Sequence, residues 1–340
     1  MRAAVFHGIG DLRVDDVPVP AIGDDEVLVR VELCGICGTD VHIVKGTFPP
    51  GHAPITLGHE FAGRVVSAGA QAAGVEVGAL VTADIAVSCG ACSFCRHGQR
   101  LLCAEVGQIG VHRDGAFAEY VAVPASLVHP LPAGMTAGQG AYVEPLACVL
   151  HGHERAAIAA GSSVVVVGAG PMGLLHVRLA RLRGAALLIC SEPHQGRSRL
   201  AGRLGADIVI DPSVIDPVEA VLEATGGRGA DVVIEAVGSI PTYRQAFRMV
   251  RRGGTVLAFG AAPSGATMPF SPFDVYSREL TVVGSYAATY GTYEDAIALI
   301  GSGRVEVDST VSRVQQLGEI VSAIRSIETD PDVVKIQIRP

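Results

Sequence analysis

The 340-residue chain has no excess of positive charge: 26 Lys and Arg stand against 34 Asp and Glu, a net charge of −8. The electrostatic footprint of a protein that binds a phosphate backbone or an anionic membrane is therefore missing. The densest basic run, RLARLRG (178–184), is interrupted by leucines. The N-terminal MRAAVFHGIGDLRV lacks the apolar core of a secretory signal. No hydrophobic run reaches membrane length, because the most apolar stretch, SSVVVVGAGPMGLLHV (162–177), is broken by Gly and Pro.

Charged residues are also scarce, at 18% against 49% hydrophobic, a balance that disorder would reverse. The 42 glycines and 19 prolines follow no period and no solenoid repeat is visible, so they read as turns and close backbone contacts. These absences predict a cytoplasmic protein that takes neither nucleic acid nor membrane as partner. In that reducing compartment clustered cysteines bind metal more often than they pair as disulfides.

A chain of this length is expected to form two domains. Up to about residue 145 it reads as short β-branched runs bounded by Gly, Pro and Asp: EVLVRVEL (26–33), FAGRVVSAG (61–69), ALVTADIAV (79–87) and FAEYVAVP (117–124). The texture then changes. SVVVVGAG (163–170) fits a strand buried on both faces of a parallel sheet. Helical and strand-like segments alternate after it: PMGLLHVRLARLRG, ALLICSE, GRSRLAGRLGA, DIVID, PVEAVLEATGG, DVVIEAVG, TYRQAFRMVRRGG, TVLAFG. That rhythm predicts an α/β fold with a doubly wound parallel sheet of Rossmann type. A strand at LTVVGSY (280–286), a helix at TYEDAIALIGSG (292–303) and a strand at VVKIQI (333–338) complete the expectation.

The first strand of the α/β half runs into Gly168-Ala169-Gly170-Pro171-Met172-Gly173 and then a helix. Such glycines let the backbone turn tightly and approach a pyrophosphate seated on the helix N-terminus. An acid, Glu192, follows roughly 20 residues on, as the dinucleotide motif requires. A carboxylate there accepts from a ribose 2′-OH and repels a 2′-phosphate, which favours NAD over NADP. Arg197 and Arg199 lie close enough to soften that preference.

Metal-ligand residue types gather at two further places. CGICGTDVH (34–42) and GHEFAG (58–63) supply Cys34, Cys37, His42, His59 and Glu60, and spacing leaves open which cysteine serves. CGACSFCRHGQRLLC (89–103) sets Cys89, Cys92, Cys95 and Cys103 in the pattern C-x2-C-x2-C-x7-C. A bacterial ferredoxin run would place its fourth Cys after three residues and follow it with Pro; here Ala104 follows. A nucleic-acid-binding zinc ribbon finds Phe94, Arg96, His97 and Arg100 nearby but an acidic chain around them. A closed zinc site asks only for four tetrahedral thiolates.

CGICGTDVH, GHEFAGRVVSAGAQA (58–72), the four-cysteine cluster and GAGPMG together resemble the zinc-dependent medium-chain dehydrogenase/reductases, the alcohol dehydrogenase family, over the whole chain. Within that family the resemblance is to the polyol (sorbitol-type) and threonine dehydrogenase branch. It implies a β-rich GroES-like catalytic domain at 1–147 with a structural-zinc lobe at 88–104. A Rossmann NAD-binding domain at 148–286 and a return to the catalytic domain at 287–340 complete the implied order. It further implies two zinc ions per chain. Cys89, Cys92, Cys95 and Cys103 match the structural site, while Cys37 and His59 match ligands of the catalytic one. Glu60 matches a neighbouring acid that ligates in some states, and Glu144, in VEPLACVLH, stands where simple alcohol dehydrogenases have a second cysteine. That departure favours polyol-like or amino-alcohol substrates over ethanol-like ones. A second departure, Gly78-Ala79 in place of the frequent Gly-Asp, touches only a turn.

Thr39 and His42 match the family's proton relay, and Cys34, Cys148 and Cys190 read as small buried residues. The activity implied is reversible oxidation of a secondary alcohol, with sugar alcohols or cyclitols ranked first and L-threonine-like amino alcohols second. A zinc- and nucleotide-binding relative without turnover is the rival, disfavoured by the intact Cys37, Thr39, His59 and Glu144. A homodimer or homotetramer is expected, since LTVVGSY lies where the family pairs sheets between subunits.

Overall fold

The computed structural model describes residues 1–340. The chain divides into two compact units, Met1–Ala147 with Ala287–Pro340, and Cys148–Tyr286.

The first unit is built on a seven-stranded sheet in the order Val128–Pro130, Leu80–Ala83, Glu60–Ala68, Glu26–Gly35, Lys335–Arg339, Val311–Gln316, with Tyr120–Pro124 also paired to Glu26–Gly35. Glu26–Gly35 alternates buried and partly exposed residues, the period of a strand with one face on a core. That core gathers Val27, Val29, Phe61, Val65, Phe117 and Ile336.

Two expectations shift here. The run 79–87 is broken into Leu80–Ala83 and Ala86–Val87, because the Asp84 carboxylate accepts from Ala86 N at 2.8 Å and turns the chain. The strand expected from 117 begins at Tyr120, since residues before it bond the N-terminal strand instead, Ala4 N donating to Phe117 O at 2.7 Å. The hairpin of Arg2–Gly8 and Asp11–Asp16, the helices Val143–Arg155 and Ile320–Thr329 and the strand Val311–Gln316 are additions to the reading.

The second unit is a six-stranded, wholly parallel sheet in the order Ile208–Ile210, Leu187–Ser191, Ser163–Val167, Ala230–Glu235, Val250–Ala258, Thr281–Gly284. Helices Pro171–Leu182, Gln195–Leu204, Pro217–Ala224 and Ile240–Met249 connect its strands. Ser163–Val167 is buried along its length, as a central parallel strand covered on both faces must be. Strand order reverses between Ser163–Val167 and Ala230–Glu235, the switch point at whose carboxyl edge open α/β sheets bind ligands.

Candidate active site

Cys37 caps the helix Gly38–Val44, and Asp40 at its third position accepts from Cys37 N at 2.9 Å. Glu60 opens the neighbouring strand Glu60–Ala68, with His59 just before it. The donor atoms of Cys37, His59 and Glu60 all lie within 4.8 Å of one another. His59 and Glu60 are buried and Cys37 is partly so. A thiolate, an imidazole and a carboxylate at that spacing are a donor set that suits zinc.

Cys34 is outside this set, fully buried, its Sγ 3.8 Å from Gly35 O. Glu144 is also outside it, buried in the first turn of Val143–Arg155. Thr39 Oγ1 lies 3.7 Å from Cys37 Sγ. His42, half-buried, has its Nδ1 3.0 Å from Thr47 Oγ1.

Two residues here escaped the sequence reading. Asp40, with no exposure, has its Oδ1 3.5 Å from His59 Nδ1, an ion-pair distance at which neither atom is hydrogen-bonded. Burial alone would lower the His59 pKa, but Asp40, then Cys37 and Glu144, outweigh it and hold it well above its ordinary value. The pocket therefore favours a cation at this imidazole. Lys335 pairs with Glu60, and both are almost wholly buried. Burial would lower the lysine pKa, yet the charge of Glu60 holds it raised. The signal for Asp40 was its place three residues after Cys37; for Lys335 it was a lone charge inside an apolar strand.

Cys89, Cys92, Cys95 and Cys103 are free thiols whose sulfurs meet. Sγ separations are 3.5 Å for Cys92–Cys95, 3.6 Å for Cys89–Cys103 and 4.0 Å for Cys89–Cys95. A disulfide would need about 2.0 Å, whereas the edge of a zinc–thiolate tetrahedron is about 3.8 Å, given Zn–S bonds of about 2.3 Å. Backbone N–H groups of Ala91 and Cys92 push the Cys89 thiol down to about 7, towards the thiolate a metal binds, while the Cys92 thiol beside it is pushed up to about 11. Arg100 ties the lobe to the sheet, donating to Ala86 O at 2.8 Å and Ser88 Oγ at 3.2 Å, with Asp84 3.6 Å away.

In the second unit Gly168 turns at φ +95°, and a side chain at Gly173 would run into the Gly168 carbonyl. Gly170, the cap of Pro171–Leu182, faces open space and has no side-chain bond over the helix end. Open N–H groups at a helix N-terminus are a seat for a pyrophosphate. Pro171 and Met172 form the first turn, both partly exposed. Glu192 follows Leu187–Ser191 and accepts from Ala169 N at 2.7 Å and His194 N at 3.0 Å. Arg197 lies on Gln195–Leu204.

Family models agree with this architecture: an alcohol dehydrogenase GroES-like domain matches residues 23–133 and a zinc-binding dehydrogenase domain matches 171–302. The chain is 35% identical to the sorbitol dehydrogenase of Halalkalibacterium halodurans, covering 98% of this chain and 97% of that protein. It is 38% identical to the L-threonine 3-dehydrogenase of Symbiobacterium thermophilum, covering 80% and 78%. A Sinorhizobium meliloti 1021 crystal structure, described as a zinc-binding dehydrogenase bound to NADP, superposes with a TM-score of 0.94 at 41% identity, covering 100% and 99%. The chain belongs to the zinc-dependent alcohol dehydrogenase family and is an oxidoreductase. Within that family it falls in the polyol dehydrogenase branch.

Proposed function

We propose that this enzyme reversibly oxidises a secondary alcohol of a polyol, sugar alcohol or cyclitol to the ketone, with NAD as cofactor and two zinc ions per chain. The observation that carries the reading is the meeting of Cys37, His59 and Glu60 beside Thr39. Cys37 and His59 would hold the catalytic zinc, with Glu60 or Glu144 as its third protein ligand, and the ion supplies Lewis acidity that lowers the pKa of an alcohol. NAD, held by the 168–173 turn, Glu192 and Arg197, supplies the hydride acceptor.

The chain's own part is proton handling and orientation. The Thr39 hydroxyl would accept the alcohol proton as it gives up its own, and His42 would release a proton to solvent. Asp40, whose Oδ1 faces His59 Nδ1 at 3.5 Å, would orient the ring by its charge. Zinc at Cys89, Cys92, Cys95 and Cys103 has no open position, so its contribution is to the stability of the lobe. The reduced thiols of both sites suit a cytoplasmic setting. A homodimer or homotetramer goes with the reading, because Thr281–Gly284 ends its sheet and leaves Val282 about half exposed.

The NADP of the Sinorhizobium relative and the substrate of the Symbiobacterium relative define the competing readings. The Glu192 charge argues against the first; the second keeps the mechanism and changes the substrate. The test is zinc-loaded protein with NAD, then NADP, across sugar alcohols, cyclitols, L-threonine and simple secondary alcohols, read by cofactor reduction. Turnover of a polyol with NAD supports the proposal. Turnover of threonine alone overturns the substrate, and silence with two zinc ions bound favours a binder without turnover.

A further inference from the structure

The last strand of the first unit carries a charge into the interior. Lys335 opens Lys335–Arg339 and is 1% exposed. Register sets Glu26–Gly35 between it and Glu60–Ala68, with Gly35 opposite Glu60 on one side and Gln337 on the other. A Cβ at position 35 would stand 3.1 Å from Lys335 Cε and 3.3 Å from Glu60 Cβ. The bare glycine is thus the window through which the lysine crosses the central strand. Beyond it Lys335 Nζ pairs with Glu60 Oε2 and donates to Ile36 O at 3.0 Å. The Tyr142 ring lies 5.8 Å from the ammonium, and the Tyr142 and Thr310 hydroxyls are hydrogen-bonded. Both Glu60 oxygens are buried without a hydrogen-bond partner; Oε2 is paired with the ammonium by charge and Oε1 is not.

A buried carboxylate must be shared among whatever cations reach it. Resting on the proposed metal role of Cys37 and His59, we infer that Lys335 is a positioning residue that decides how far Glu60 ligates the metal. Its ammonium holds one carboxylate oxygen and leaves Oε1 as a weak, displaceable ligand. Without Lys335, Glu60 belongs wholly to the metal, and an exchangeable position becomes a closed one. Open and closed coordination separate catalytic from structural zinc.

The test compares the full-length wild type with Lys335→Met, loaded with zinc or with cobalt(II). The expected result is zinc release from the Cys37 site to a chromogenic chelator slowed by about tenfold, a change of about 1.4 kcal/mol. The cobalt difference spectrum, in which the four-cysteine site cancels, should change in the visible bands. Turnover should fall in kcat more than it rises in KM. Lys335→Arg keeps the charge and should release zinc at the wild-type rate. Lys335→Met with Glu60→Gln leaves no unpaired charge and should abolish the slowing. Should Lys335→Met not fold, Gly35→Ala, which wedges the pair apart with both charges kept, carries the same expectation. Unchanged or faster zinc release with an unchanged cobalt spectrum overturns the inference. A wild type that binds one metal ion per chain, at the four cysteines alone, overturns the metal reading beneath it.

Discussion

His153 Nε2 lies 3.1 Å from His176 Nδ1, the two rings stacked and wholly buried, with the edge of Phe259 against His176. Burial pushes His176 down to about 3 and His153 well below its ordinary value, His176 and then Arg183 adding to the second effect. Both imidazoles are therefore neutral in the folded chain and become protonated near 6.5 once it unfolds. The His176 contribution is complete above pH 6.5 and declines as pH falls towards 3, and His153 adds to the decline in the same direction. The melting temperature of cofactor-free protein should fall between pH 6.5 and 5, and His153→Gln with His176→Leu should flatten that slope. An equally steep slope in the double variant would reject the assignment.

Asp40 serves two groups, accepting from Cys37 N and facing His59 Nδ1. Asp40→Asn keeps the shape and removes the charge. Zinc affinity at the Cys37 site, measured by chelator competition, should drop about 10- to 100-fold. Unchanged affinity would mean that Asp40 is only a helix-capping residue.

Glu192 has two duties that one substitution separates. Its carboxylate braces the glycine turn through Ala169 N and, in the proposed reading, also accepts from the ribose of NAD. Glu192→Gln should weaken NAD binding and move the NAD:NADP affinity ratio towards NADP by about tenfold, a differential of about 1.4 kcal/mol. Equal weakening of both cofactors, read by fluorescence titration, would make the residue a turn brace alone.

Cys95→Ser removes one of four thiolates from a lobe that Arg100 ties to the sheet. One zinc per chain should be lost and the melting temperature should fall by at least about 5 °C. Residual turnover at low temperature should persist, because the Cys37 site is left whole. Turnover lost at all temperatures in a folded variant would give the lobe a role in the chemistry.

Local rules made some of this protein legible in its sequence. The alternating apolar runs and helical segments from Ser163 onward call for a parallel α/β sheet covered by helices, and that sheet is present. Four cysteines within fifteen residues meet in almost any compact loop, so their cluster was visible from spacing. The glycine turn was visible because strand, turn and helix are consecutive.

Strand pairing decided the rest. Cys34 and Cys37 are equivalent as residue types; the structure turns Cys34 into the core and leaves Cys37 beside His59 and Glu60. Lys335 reaches the carbonyl of Ile36 across 299 positions of chain, over a glycine whose role depends on the strands either side of it. Sequence determined which chemical groups are available and which short segments hold their shape. Only the tertiary structure decided which groups share a buried charge, because sheet register joins residues that no local pattern connects.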